Sequence, residues 1–149
     1  MLSVNTDEHY MREALRQAQY AFDEGEIPVG AVVVSGNRII ARAYNQTERL
    51  NDVTAHAEML ALTAAANYSG GKYLTDCTLY VTLEPCNMCA GALYWGQLNK
   101  LVFGASDEKR GYSRMQPSLL HPKTEVARGI LGVECKALVD DFFRKLRKK

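Results

Sequence analysis

The chain has 149 residues, 47% of them hydrophobic and 23% charged, with a net charge of +1. That suits one soluble globular domain, residues 1–149, with a core of ordinary size. No apolar run reaches the length of a membrane span, and Asp7, Glu8 and their polar neighbours do not look like a secretory signal, so the expectation is a cytoplasmic protein.

The segment from Asn5 to Gly25 predicts a first helix. Met11, Ala14, Leu15, Ala18 and Phe22 fall at helical spacing, Asn5 and Glu8 suit a capping box, and Gly25 is a stop. Val29 to Val34 and Arg38 to Tyr44 read as two strands of a hairpin that turns at Ser35-Gly36-Asn37. A polar loop, Asn45 to Asp52, follows. Thr54 is expected to cap a helix that opens at His56, runs through Met59, Leu60, Leu62 and Ala66, and stops before Ser69-Gly70-Gly71. Cys77 to Leu83 is rich in residues that favour extended backbone. It leads to Pro85, read as the first position of a helix that fades near Gly96. Leu101 to Phe103 predicts a short strand and Thr124 to Ala127 a fifth. Between them, Ser106 to Lys123 is a long irregular stretch broken by Gly111, Pro117 and Pro122, and loops of that length are seldom idle. Val133, Ala137, Leu138, Phe142 and Leu146 mark a final amphipathic helix. This order predicts an α/β layer sandwich.

Two short runs carry the chemistry: His56-Ala57-Glu58, and Pro85-Cys86-Asn87-Met88-Cys89. Alone, the first reads as a helix surface and the second as a redox pair or half of a structural zinc site. Together they supply one imidazole and two sulfurs, the set a catalytic zinc takes while keeping a fourth position for water. Glu58 stands beside a ligand without needing to be one, where a proton carrier belongs. Two thiolates make one zinc formally neutral. With both runs in first turns of helices, the helix dipoles would favour the thiolates and help restore positive potential. The remaining cysteines, Cys77 and Cys135, read as buried thiols.

The run from Cys77 to Ala92, read with Ile27 to Val32, Asn45, Thr54 to Glu58, Val102 to Ala105, Asp107, Lys109 and Asp141 to Arg144, resembles the cytidine deaminase superfamily, most of all its tRNA adenosine-deaminating branch. The resemblance covers nearly the whole chain. It implies a three-layer α/β/α sandwich with a mixed five-stranded sheet, a homodimer, and one zinc on His56, Cys86 and Cys89. It also implies hydrolytic deamination of adenosine to inosine at the wobble position, with Glu58 moving protons between water, the ring and the departing ammonia. Asn45 would contact the target nucleoside, and the loop with Asp107 and Lys109 and the last helix around Phe143 would meet the tRNA anticodon loop. The first-turn amide of Ala57 or Cys86 would help orient water or base.

Val53 stands where that branch usually has proline, Tyr94-Trp95-Gly96-Gln97 looks more like the small-base branch, and Tyr112 to Met115 replace small residues in a shorter loop. These keep a second substrate class open: a free nucleobase or nucleoside (guanine, cytosine or adenosine). A third reading is a zinc-stabilised binding module, with a closed site recruiting for instance Cys77. The basic ending, Arg144, Lys145, Arg147, Lys148 and Lys149, reads as a phosphate-tracking surface or as a helix end whose charges suit its dipole. Tyr112 and Phe143 read as base-stacking residues or as ordinary packing.

Overall fold

A computed structural model describes residues 6–148. Asn5 and Lys149 lie outside the described residues. The first helix, α1 (Asp7–Asp23), takes Thr6 as its cap rather than Asn5. Thr6 is extended, and its hydroxyl accepts the His9 amide at 3.1 Å.

The hairpin forms as expected from β1 (Gly30–Ser35) and β2 (Arg38–Tyr44), joined by Gly36 and Asn37. Both turn residues have positive φ, 57° and 62°, the two-residue turn that matches strand twist. Next come α2 (Ala57–Ser69), β3 (Thr78–Leu83), α3 (Asn87–Gly96), β4 (Lys100–Ala105), a short 3-10 turn at Tyr112–Arg114, β5 (Glu125–Arg128) and α4 (Gly132–Arg147). One sheet holds all five strands in the order β2-β1-β3-β4-β5. β1 pairs antiparallel with β2 and β3, whereas β3, β4 and β5 run parallel. The sheet is therefore mixed, as the resemblance implies.

Helices cover both faces, which is why the central strands are apolar without alternation. Ala31, Val33, Leu79, Val81, Leu101 and Phe103 pack on one face with Ala57, Ala61 and Ala65 of α2 and Ala90 and Leu93 of α3. Their neighbours Val32, Val34, Tyr80 and Val102 pack on the other face with Tyr10, Met11 and Ala14 of α1 and Cys135 of α4. The α4 contact is close: a Cβ on Gly104 of β4 would stand 2.4 Å from the Cys135 sulfur. These are the three layers expected. Cys77 and Cys135 are both buried thiols.

Two helix starts differ from the sequence reading. α2 begins at Ala57 with His56 itself as N-cap, and the Thr54 hydroxyl instead bonds Asp52 Oδ1 at 2.7 Å, because two residues outside the cap it reaches the preceding turn and not the helix amides. α3 begins at Asn87 with Cys86 as N-cap, which puts Pro85 just outside the helix. There it ends the extended segment leaving β3 instead of opening the helix. The strands β4 and β5 run to Ala105 and Arg128, past the expected ends, as β5 pairs residue by residue with β4.

Candidate metal and nucleoside site

The site lies beyond the C-terminal ends of the parallel strands β3 and β4, the usual place for a crevice in an open α/β sheet. The N-termini of α2 and α3 converge there. His56 and Cys86 are the two N-caps, and Cys89 follows three residues after Cys86, on the side turned to the core. His56 Nδ1 lies 3.7 Å from Cys86 Sγ and 3.5 Å from Cys89 Sγ, and the three donor atoms lie within 4.8 Å of one another.

That spacing fits a tetrahedral zinc, whose bonds of about 2.3 Å to sulfur and about 2.0 Å to nitrogen give S···N edges of roughly 3.6 Å. The donors' own chemistry agrees. Hydrogen bonds from Cys89 and His56 push the Cys86 thiol down to about 4, while the same Cys86 sulfur and burial push Cys89 up. Ionised Cys86 thus opposes the ionisation of Cys89, and a bound cation would favour both as thiolates. Cys77 does not join the cluster, since it precedes β3 while Cys86 follows it, at the other end of a six-residue strand. His56 and Cys86 open onto a groove, so a metal held by the three donors would keep one open side.

Glu58, the second residue of α2, is 4% exposed, and burial pushes its carboxyl up to about 7. It too lines the groove, which measures about 890 Å³. Asn45 lines the same groove. Its Nδ2 donates to the Ile27 carbonyl at 3.2 Å, which leaves Oδ1 buried without a partner on the protein, an acceptor free for a ligand's N–H or O–H. Ala57 offers a first-turn backbone amide.

Asp107, Lys109 and Phe143 also line the groove, so the structure brings every predicted site residue except the more deeply buried Cys89 onto its walls. Asp107 is turned partly inward: its Oδ1 accepts the amides of Lys109 and Arg110 at 3.1 and 3.0 Å and so braces its own turn. Tyr112 is buried edge-on against Phe103, which makes it packing and not a stacking platform. Phe143 is half-buried and reaches the groove.

Several groove residues had no predicted role. Arg110, Lys136, Arg144 and Arg147 join Lys109 in a basic rim, and Lys109, Arg110 and Arg147 have no carboxylate partner among the described residues. Two buried carboxylates shape the rims. Glu26 accepts the amides of Glu48 and Arg49 at 3.0 and 2.7 Å, and Glu84 accepts the amides of Asp107 and Ser113, each at 3.0 Å. For Glu84 the signal was an acid between the β3 run and Pro85-Cys86; Glu26, which follows Asp23-Glu24-Gly25, carried none.

The fold and the donor set define a deaminase of the cytidine deaminase-like class. The profile of the MafB19-like deaminases matches residues 5–147. The chain is 47% identical to the tRNA-specific adenosine deaminase of Bacillus subtilis (strain 168), over 98% of this chain and 94% of that one. A solved structure from work on A-to-I editing by tRNA:A34 deaminases superposes with a TM-score of 0.82 at 40% identity, covering 87% of this chain and 98% of its own. The guanine deaminase of Bacillus subtilis is similar over less, with a TM-score of 0.65 at 38% identity, 68% of this chain and 65% of that one. The chain belongs to the MafB19-like deaminase family, on the branch of the tRNA-specific adenosine deaminases, and is a hydrolytic deaminase. Among the described residues, no helix is long and apolar enough to cross a membrane.

Proposed function

We propose that this chain converts adenosine to inosine at the wobble position of a tRNA anticodon, as a cytoplasmic single-domain enzyme with one zinc per chain held by His56, Cys86 and Cys89. When bound, zinc supplies the Lewis acidity that makes water a competent nucleophile near neutral pH. The remaining steps belong to side chains. Glu58 takes a proton from water and returns protons to the purine ring and to the amino group, so that water's oxygen ends on carbon 6 and ammonia leaves. Asn45 Oδ1 accepts from the nucleoside, and the Ala57 amide orients the reacting groups. The burial of Glu58 keeps bulk solvent from short-circuiting this transfer.

The observation that carries the RNA reading is the basic rim. Lys109, Arg110, Arg144 and Arg147 line a groove far larger than one base, beside Glu108, Asp140 and the half-buried ring of Phe143. Arg144 is paired with Asp141, while Lys109, Arg110 and Arg147 have no carboxylate partner among the described residues. A free base gives that many cations nothing to bind, whereas a phosphate backbone does. We assign Asp107 the role of shaping the loop that presents Lys109 and Arg110. A homodimer is supported by α3, where exposed Met88 and Trp95 flank half-buried Ala92 in an apolar stripe at helical spacing and Trp95 is 77% exposed.

The similarity to a guanine deaminase favours a second reading, deamination of a free base. One assay separates the two. The protein is incubated with an anticodon stem-loop carrying wobble adenosine, and separately with adenosine, guanine and cytosine. Inosine is expected in the RNA alone; ammonia from the free compounds and none from the RNA refutes the proposal.

A further inference from the structure

We infer that Glu84 is a positioning residue: its buried carboxylate seats the groove wall from Asp107 to Ser113 against the Cys86 end of α3 and so sets the fit of the polynucleotide. The inference rests on the RNA reading above. Glu84 is 4% exposed, and among the described residues it has no lysine, arginine or histidine partner. Its charge is held entirely by that wall. Oε1 accepts the Asp107 amide at 3.0 Å, and Oε2 accepts the Ser113 amide at 3.0 Å and the Ser113 hydroxyl at 2.6 Å.

The two donor residues stand at opposite ends of the loop, so one carboxylate clasps both. Gly111 lies between them, and a Cβ there would fall 2.3 Å from Glu84 Cδ, leaving room for glycine alone. The backbone completes the clasp: Gly111 bridges to Cys86, and the Tyr112 amide donates to the Pro85 carbonyl at 2.9 Å. Segment 84–86 thus carries a metal ligand at one end and the wall's anchor at the other.

The chemistry requires a carboxylate. A carboxylate is acceptor-only and takes all three donors, whereas glutamine keeps one oxygen and sets its NH2 against the Asp107 amide or, flipped, against the Ser113 amide. The loop also has bracing of its own, from Asp107 to the amides of Lys109 and Arg110 and from Arg114 to the Lys109 carbonyl. Loss of Glu84 therefore frees the wall as a body rather than dissolving it, and Lys109 and Arg110 move with it.

The test uses the full-length, zinc-loaded protein and the variants Glu84→Gln and Ser113→Ala. Three quantities are read: zinc per chain, KM and kcat on the anticodon stem-loop, and hydrogen exchange of the Asp107 and Ser113 amides. In Glu84→Gln we expect parental zinc, KM raised about tenfold with kcat within about threefold, and both amides exchanging at least about tenfold faster. Ser113→Ala, which removes one of the three donors, is expected to raise KM about threefold. Unchanged KM and unchanged exchange in Glu84→Gln overturn the inference. So does loss of zinc with a collapsed kcat at constant KM, which would make Glu84 a support of the metal ligand. If Glu84→Gln does not fold, Ser113→Ala decides by the same two readings. Should the parent fail to act on RNA, the proposed function falls, while the exchange rates still report on Glu84.

Discussion

Replacing Glu58 by glutamine separates the proton carrier from the metal site, because the change keeps the shape of the side chain and replaces no zinc ligand, although Glu58 hydrogen-bonds the Cys89 sulfur. Turnover should fall by about a thousandfold or more, the usual scale for a lost proton-transfer group, with zinc retained at the parental level. A second effect follows from burial. In the metal-free protein the Glu58 carboxyl is pushed from an ordinary 4.5 up to about 7, first of all by desolvation. A carboxyl that holds its proton to higher pH in the folded chain than in the unfolded one supports folding fully below about 4.5. That support is lost as the pH rises to about 7. The difference amounts to about 3 kcal/mol, little reduced by solvent because the group is buried. Glutamine has no such charge to bury, so the metal-free variant should exceed the metal-free parent in stability at pH 8 by about that amount, with the gap closing toward pH 4. Urea unfolding at both pH values measures the gap, and single-turnover assays with metal analysis measure the chemistry. Zinc-replete Glu58→Gln deaminating within tenfold of the parent would refute the proton-carrier role, and a stability gap independent of pH would refute the burial argument.

Substituting Cys86→Ser should lower bound zinc from one per chain to less than about a tenth, since a serine hydroxyl does not ionise where the thiol does; elemental analysis of purified protein decides. The pair Trp95→Glu and Met88→Lys, made together, should convert a dimer to a species of 16.6 kDa in sedimentation, and an unchanged mass would remove α3 from the interface. Arg144→Ala combined with Arg147→Ala should make the log–log salt dependence of stem-loop binding shallower by about 1.4, if each guanidinium meets one phosphate of a single strand at about 0.7 per contact. An unaltered slope would place the RNA elsewhere.

Much of this architecture was legible because local patterns agree with the global arrangement. The buried strands wrote themselves as a continuous apolar run at Val29 to Val34 and a run of residues favouring extended backbone at Cys77 to Leu83, and the ligand runs sat at helix starts. The misreadings were of a residue or two at helix caps. Thr54 and Pro85 have the right chemistry for a helix start, but His56 and Cys86 occupy the cap positions themselves. What the sequence did not disclose is where long-range partners meet. Nothing local says that Glu84 will clasp Asp107 and Ser113, or that Glu26 will hold Glu48 and Arg49, because those bonds join segments that the fold alone brings together. Asp107 likewise reads as a ligand-facing acid, while its carboxylate is engaged by its own turn.

The close seat of Cys135 on Gly104 makes α4 a lever. From that fulcrum the helix runs roughly three turns, about 18 Å, to Arg147 at the groove. A tilt of about 5° there would sweep the far end through about 1.6 Å, and misplacements near 1 Å already cost orders of magnitude in rate. The gap between a glycine and a thiol, deep in the opposite layer from the metal, thereby helps set how the last helix aims its cations, together with the Phe22 ring that meets Phe142 and Lys145 nearer its far end. Selection for altered RNA preference should find that gap as readily as it finds the groove itself.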